Sequence, residues 1–405
     1  MSSAQSFNMR LIAHHELQGF GGMGEGMGLQ LARGGRRILW LAHESAPKNF
    51  TGVDVTDPRE PRVIVQTDLP HAKMRSNSLD VVGDTLAVAY QSSSPGMKPA
   101  GFELFDVSTP EEPKLITHFD CSGQWSRGVH VLWFVDGETI HMSAGAADFQ
   151  PRNQRDDQFY RIIDVRNASK PSETGRWWLP GTREGDDAPP PQRLERRFDK
   201  GFRAHNTNVF PSRPDRAYVG YIDGGALILD IADRSRPKLV SHWRYSPPFN
   251  GFTHTVLPLL ERNLLIVADE AVMDGGADWP KLVWVVDARV ETNLVPIATF
   301  PAPPYQEFVR RGGRFGAHNL HENLPVPGSW RSEQIIVGTF FNAGVRAYDV
   351  LNPYQPKEVA YYVPEVPNGA RTGAVQLNDV FVDERRIVYT VDRHIGGLYV
   401  LEMTI

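Results

Sequence analysis

Histidines gather where short apolar strands begin: His130 in RGVHV, His205 in RAHNTN, His254 in FTHTV, and His318 and His321 in GAHNLHEN. Their separation along the chain is far wider than any local ligand motif, so only a repeating fold can bring them together. Neutral imidazoles converging on one axis form a site for a divalent transition metal, Zn²⁺, Fe²⁺ or Mn²⁺. His130, His205, His254 and His318 are therefore the candidate metal ligands, with His321 beside them as a candidate catalytic group. They do not share one register: aligning HNTNVFP with FTHTVLP sets His254 two places later than His205. Asn206 and Asn319 directly follow a His, as a repeat consensus lining a channel would also have it.

Carboxylates end the neighbouring strands. Asp269 and Glu270 (VADE), Asp392 with His394 (VDRH), and His43 with Glu44 (LAHES) are expected at the same mouth as the histidines. A carboxylate there can complete a metal shell or act as general base on metal-bound water, which makes Asp269 and Glu270 catalytic candidates. An Arg precedes the inner strand in most repeats: Arg75, Arg127, Arg203, Arg314 and Arg371. Guanidinium forks suit carboxylate or phosphate, so these five are the candidate substrate-binding residues for a small anion. The competing expectation is that each pairs with an acid at the same mouth, among Glu25, Asp223, Asp269, Glu270 and Asp392. His14, His118 and His242 all fall in outer strands and read as structural rim positions.

A repeat must position these groups. GFELFDVSTPEEPKLITHFD from Gly101 consists of a Gly, an alternating apolar strand ending in Asp, a Pro-containing turn and a second strand. It recurs from Gly52, Ala226 and Gly344, and more weakly from Arg161 and Leu282. The strand-end aspartates Asp54, Asp106, Asp164, Asp230, Asp287 and Asp349 follow one another at intervals of roughly 60 residues, a period that, built of short strands, means a β-propeller. GLYVLE at Gly397 begins a seventh copy that stops short, and MRLIAHHEL at Met9–Leu17 supplies its missing outer strand. The expected fold is all-β: a single seven-bladed propeller over residues 1–405, with four-stranded antiparallel blades and a ring closed by the N-terminal strand. Long connections, notably 180–201 and 301–315, fall on one face, the top, where function is expected. The insertion ENLPVPGSWRSEQ at Glu322 goes to the bottom. The Gly-rich Gly19–Gly28 is no nucleotide loop, lacking a following helix, and reads as the lead into the first inner strand.

Composition narrows the class. A net charge of −5 argues against a nucleic-acid partner. The single Cys121 excludes an internal disulfide and a thiolate metal cluster. No apolar run reaches membrane-spanning length and the N-terminus carries no apolar signal core, so a cytoplasmic protein without a membrane partner is expected.

The chain resembles the LVIVD-repeat family of β-propellers from Gly52 onward. The resemblance rests on AYVGYIDGGALILDIADRSRP at Ala217, FELFDVSTPEEP at Phe102 and the HN pairs at His205 and His318. It implies the propeller fold and little about activity. The four-His arrangement is also similar, in architecture and not by motif, to the iron site of carotenoid-cleaving dioxygenases. The function expected from the residues is metal-dependent hydrolysis or C–C lyase chemistry on a small anionic organic molecule. A non-haem iron oxygenase with a four-His site and a non-catalytic interaction module are the alternatives.

Overall fold

The computed structural model describes residues 3–19 and 22–405. Seven antiparallel sheets form the blades of a propeller. Strands A to D, inner to outer, run Met23–Leu31, Arg37–His43, Lys48–Asp54 and Arg62–Asp68 in blade one. Blade four repeats the order with Ala204–Phe210, Arg213–Tyr221, Gly225–Asp230 and Lys238–Trp243. In blade seven, Leu377–Val382, Ile387–Asp392 and Leu398–Met403 are completed by Met9–His15, which pairs antiparallel to the third of them. The N-terminal strand therefore covers an edge that would otherwise stay open. A detail beyond that expectation is Gln5–Phe7, which adds a further strand outside Lys357–Val363 of blade six.

The repeat's chemistry explains its turns. Each strand-end aspartate accepts a hydrogen bond from the backbone N–H two residues on. These bonds are Thr56 to Asp54 (3.0 Å), Ser108 to Asp106 (2.8 Å), Arg166 to Asp164 (3.0 Å), Ala232 to Asp230 (2.9 Å), Arg289 to Asp287 (2.9 Å) and Leu351 to Asp349 (2.7 Å). An Asp side chain mimicking a turn in this way holds the C–D corner of blades one to six. The apolar core lies between neighbouring blades. Trp40, Phe50 and Phe105 pack edge to face between blades one and two, and Trp243, Tyr245 and Trp284 between blades four and five.

The two faces of the ring differ. On top, the 180–201 connection is held down by Arg193, which bridges Asp156 at 2.9 Å and Asp199 at 2.7 Å. The 301–315 connection contains a short helix, Tyr305–Val309. Below, the 322–334 insertion crosses to blade seven, where the Trp330 N–H donates to the Val382 carbonyl at 3.0 Å.

Candidate metal centre

The inner strands are not regular where the candidate site lies. In blade three the register with strand B shifts between Val129 and Val131, in blade four between Ala204 and Thr207, and in blade five between Thr253 and Thr255. The residues inside these bulges are His130, His205 with Asn206, and His254. Blade one shifts between Met23 and Met27, around Glu25, and blade seven between Leu377 and Asp379, around Asn378. A bulge bends the strand and re-aims a side chain. Here each one turns a polar residue onto the ring axis. In blade six the segment around His318 takes the inner position, with the His318 N–H bonded to the Thr339 carbonyl at 3.0 Å. The two-place offset of His254 read from the sequence is thus absorbed by bulges of different length, and the histidines occupy equivalent places.

Glu25 stands at the centre. Its carboxylate lies 3.9 Å from His130 Nε2, 3.7 Å from His205 Nε2, 3.7 Å from His254 Nε2 and 3.5 Å from His318 Nε2. The flanking glycines put it there. A Cβ on Gly24 would sit 2.6 Å from the Asn77 carbonyl oxygen, and one on Gly26 2.1 Å from the Leu79 nitrogen. Only without those side chains does the first strand of blade one press this closely on blade two. Phe20 and Gly21 of the same glycine-rich stretch lie outside the described residues. Glu270 completes the group: one donor atom each from Glu25, His205, His254 and Glu270 all lie within 4.8 Å of one another. His318 Nε2 is 3.6 Å from Glu270.

The outer nitrogens of the rings fix their orientation. His205 Nδ1 faces the Asn206 side-chain oxygen at 2.8 Å, and His318 Nδ1 faces the Asn378 carbonyl at 2.7 Å. Both partners accept, so Nδ1 carries the proton and the Nε2 lone pair faces the axis. His254 Nδ1 meets Thr255 Oγ1 at 2.8 Å. The fully buried Nε2 atoms of His254 and His318 have no hydrogen-bond partner among the described residues. His130 Nε2 and His205 Nε2 stand 2.9 Å apart. His130 Nδ1 faces both Gln91 Oε1 at 3.1 Å and the Arg75 Nη2 donor at 3.2 Å; when it accepts from Arg75, the His130 proton sits on Nε2 and bonds the His205 lone pair.

The electrostatics suit a cation. Burial drives the His205 imidazole down to about 3, helped by His254, and it likewise lowers His130 and His254, so these rings are neutral at pH 7. Burial alone would raise Glu25, but the facing His254 and His318 rings outweigh it and hold the carboxyl well below its usual range. At 3.5 and 3.7 Å these contacts exceed good hydrogen-bond length, and with Nε2 unprotonated they set ring lone pairs against the carboxylate, a repulsion that a cation between them would relieve. Neutral imidazoles around an ionised carboxylate are the protonation states a metal needs. Tetrahedral ligands about 2.1 Å from an ion lie about 3.4 Å apart, close to the Glu25–His spacings.

Other expected site residues lie elsewhere. Asp269 accepts from the Tyr245 hydroxyl and from the Leu282 N–H at 3.0 Å, and burial pushes its carboxyl up to about 6. It is a structural acid between strands, outside the cluster. His321 is also outside, with Nε2 2.6 Å from the Trp330 carbonyl and Nδ1 accepting from the Val382 N–H at 3.2 Å. It ties the bottom insertion to blade seven. The arginines divide. Arg127 forks onto Asp157 at 2.6 and 3.0 Å, Arg314 bonds Glu270 at 2.9 Å, and Arg75 pairs with Glu44 at 2.7 Å. Arg371 sits in an exposed loop and makes no hydrogen bond or ion pair among the described residues. Ion pairing with the acids of the mouth thus accounts for much of the arginine pattern. Besides Arg371, Arg203 departs from it: its strongest partner is Gln158 Oε1 at 3.1 Å, and Asp157 is 3.9 Å away.

Two groups carry more of the site than their sequence context suggests. Glu25 sits between glycines, and that spacing, an acid where only backbone-thin neighbours fit, was the available signal. Arg393 bonds Glu44 and donates to Asn378 Oδ1 at 2.9 Å, and no repeat position marks it.

No protein-family profile matches the chain. No curated protein matches it either. Among solved structures, the β-propeller domain of Cps50 (Swd1) from Myceliophteria thermophila is similar at a TM-score of 0.55 and 11% identity, over 93% of this chain and 96% of that one. The computationally designed Ika8 protein aligns over 96% of this chain and 99% of its own, at 9% identity and a TM-score of 0.48. Likeness at such identity concerns the fold alone.

Proposed function

We propose that the protein is a metal-dependent enzyme acting on a small anionic organic substrate at the top of the propeller channel, of hydrolase or C–C lyase type. One observation carries the reading: the unpartnered Nε2 atoms of His254 and His318 converge with His205 on the ionised Glu25 carboxylate. Buried polar atoms normally have partners, and these would gain one from a cation. His205, His254, His318 and Glu25 would hold the ion. Bound there, it would supply Lewis-acid polarisation and an activated water. Glu270, held by Arg314 at 2.9 Å, is placed to take a proton from a molecule beside His318. The Asn206 and Asn378 contacts keep the imidazole lone pairs inward. Membership of the LVIVD-repeat family belongs to the same proposal, carried by the repeat itself.

A second reading, non-haem iron oxygenation, is favoured by the His205, His254 and Glu25 donor set, since two histidines and one carboxylate also suit Fe²⁺. Metal analysis of protein purified without chelator tests both. About one equivalent of transition metal is expected, lost in His318→Ala with the fold intact. Metal-free protein whose melting temperature does not respond to Zn²⁺, Fe²⁺ or Mn²⁺ would overturn the proposal. Oxygen consumption during turnover would select the oxygenase version.

A further inference from the structure

Further along the inner strands than the histidines, the channel holds a cavity of about 30 Å³ whose ionisable walls are all acidic. Asp80 lies on the inner strand of blade two, Leu79–Val82, and Asp379 on that of blade seven. Glu322 follows His321 in the inner segment of blade six. These three line the cavity together with Glu25, and among the described residues no Arg, Lys or His does. Asp80 and Asp379 are buried. Buried charges are ordinarily paired with an opposite charge or bound to a metal ion.

Each acid engages one oxygen only. Asp80 Oδ2 accepts from the Phe134 N–H and Asp379 Oδ1 from the Val380 N–H, both at 2.8 Å, and Glu322 Oε1 accepts from Asn206 and Asn208 Nδ2, also at 2.8 Å. The other oxygens, Asp80 Oδ1, Asp379 Oδ2 and Glu322 Oε2, receive no hydrogen bond among the described residues. Neutral groups in the same wall share that need. Asn208 and Thr207 are wholly buried, and Asn208 Oδ1 and Thr207 Oγ1 have no partner there. The Asn208 amide is locked, because flipping it would set its oxygen against the Glu322 carboxylate, so Oδ1 stays a free acceptor. Burial first, and then the charge of the other acids, lifts Asp80 and Asp379 well above the usual carboxylate range, and burial lifts Glu322 to about 7. Protons or a cation can settle such a group.

The donor set selects the ion. Oxygen ligands without nitrogen or sulfur suit Ca²⁺ or Mg²⁺, unlike the imidazoles above. Among the described residues, three or more acids or histidines close to within 4.8 Å only in the upper cluster, so here an ion keeps water among its ligands, as both ions readily do. The volume accommodates an ion with one or two waters.

We propose that this part of the channel is a second cation site, in which Asp80, Glu322, Asp379 and Asn208 hold one Ca²⁺ or Mg²⁺ with the help of water. It uses none of the histidines and stands without the metal-centre reading.

Titration calorimetry of chelator-stripped protein with CaCl₂ and with MgCl₂, against a background of KCl, tests it. About one equivalent of either ion binds, more tightly at higher pH because the acids must first shed protons. Asp80→Asn and Asp379→Asn keep the side-chain volume, and each weakens binding roughly ten- to hundredfold, the loss that follows removal of one charged contact. His254→Ala binds the ion within about twofold of wild type. Thermal melts identify any variant that fails to fold, and Glu322→Gln then takes its place. No heat from either ion up to about 10 mM, above the weakest dissociation constants typical of Ca²⁺ sites, overturns the proposal and leaves the acids protonated. Affinity within about twofold of wild type in either Asp variant overturns it as well, and so does loss of binding in His254→Ala, which moves the ion to the upper cluster. Ca²⁺ or Mg²⁺ binding with the expected dependence in a protein that takes up no transition metal refutes the metal centre and leaves this site standing.

Discussion

Glu25→Gln removes one charge from the centre of the cluster with almost no change in volume. Four-ligand structural Zn²⁺ sites gain about 10–16 kcal/mol, so each ligand contributes about 3 kcal/mol, or two decades in affinity. Glu25 lies 3.5–3.9 Å from all four imidazoles, so its loss is felt whichever of them bind. Suppose Zn²⁺ is added at a hundred times the wild-type Kd. Wild type then gains about 2.7 kcal/mol of stability, and a variant with hundredfold weaker affinity gains about 0.4 kcal/mol. Over 405 residues, an unfolding entropy of about 2.1 cal/mol/K per residue turns these into shifts of about 3 °C and 0.5 °C. Differential scanning fluorimetry with and without metal reads both, and a competing chelator gives the affinities directly. An equal metal-induced shift in both proteins would refute Glu25 as a ligand.

Four further outcomes follow from other parts of the molecule. Gly26→Ala sets a Cβ 2.1 Å from the Leu79 backbone nitrogen, where no flexible side chain can yield, and is expected to cost about 2–4 kcal/mol in a denaturant melt, or to prevent folding. His321→Ala breaks the tie between the Trp330 carbonyl and the Val382 N–H; stability falls by about 1–3 kcal/mol while metal content holds. Glu322, whose carboxyl burial raises from 4.5 to about 7 in the channel, binds its proton more tightly folded than unfolded. Its stabilising contribution is full below the unfolded value and is lost as pH rises through that window, so Glu322→Gln flattens the loss of stability between pH 4.5 and 7 by at most about 3 kcal/mol, read from melts across pH. Deleting residues 1–17 strips the outer strand from blade seven and the added strand from blade six, and sedimentation should find the product aggregated; an unchanged melting temperature would refute the closure.

The propeller was legible in the sequence because its causes are local and repeated. An alternating strand, an Asp that accepts from the N–H two residues on, and a turn are chemistry within about ten residues, and each copy carries it. The resemblance of Met9–Leu17 to PKLITHF revealed the closure for the same reason. The convergence of His130, His205, His254 and His318 followed from the repeat alone. The tertiary structure decided what lay at the centre. Glu25 is not in a repeat motif, and it reaches the axis because two glycines let blade one approach blade two and a bulge turns its side chain inward. Likewise His321 and Asp269 have the residue types of a site but spend their polar atoms on neighbouring strands, and Arg127 and Arg314 spend theirs on Asp157 and Glu270. Residue type sets what a side chain can bind. Which partner it meets depends on bulge length and blade spacing, and those are fixed only when all seven blades close against one another.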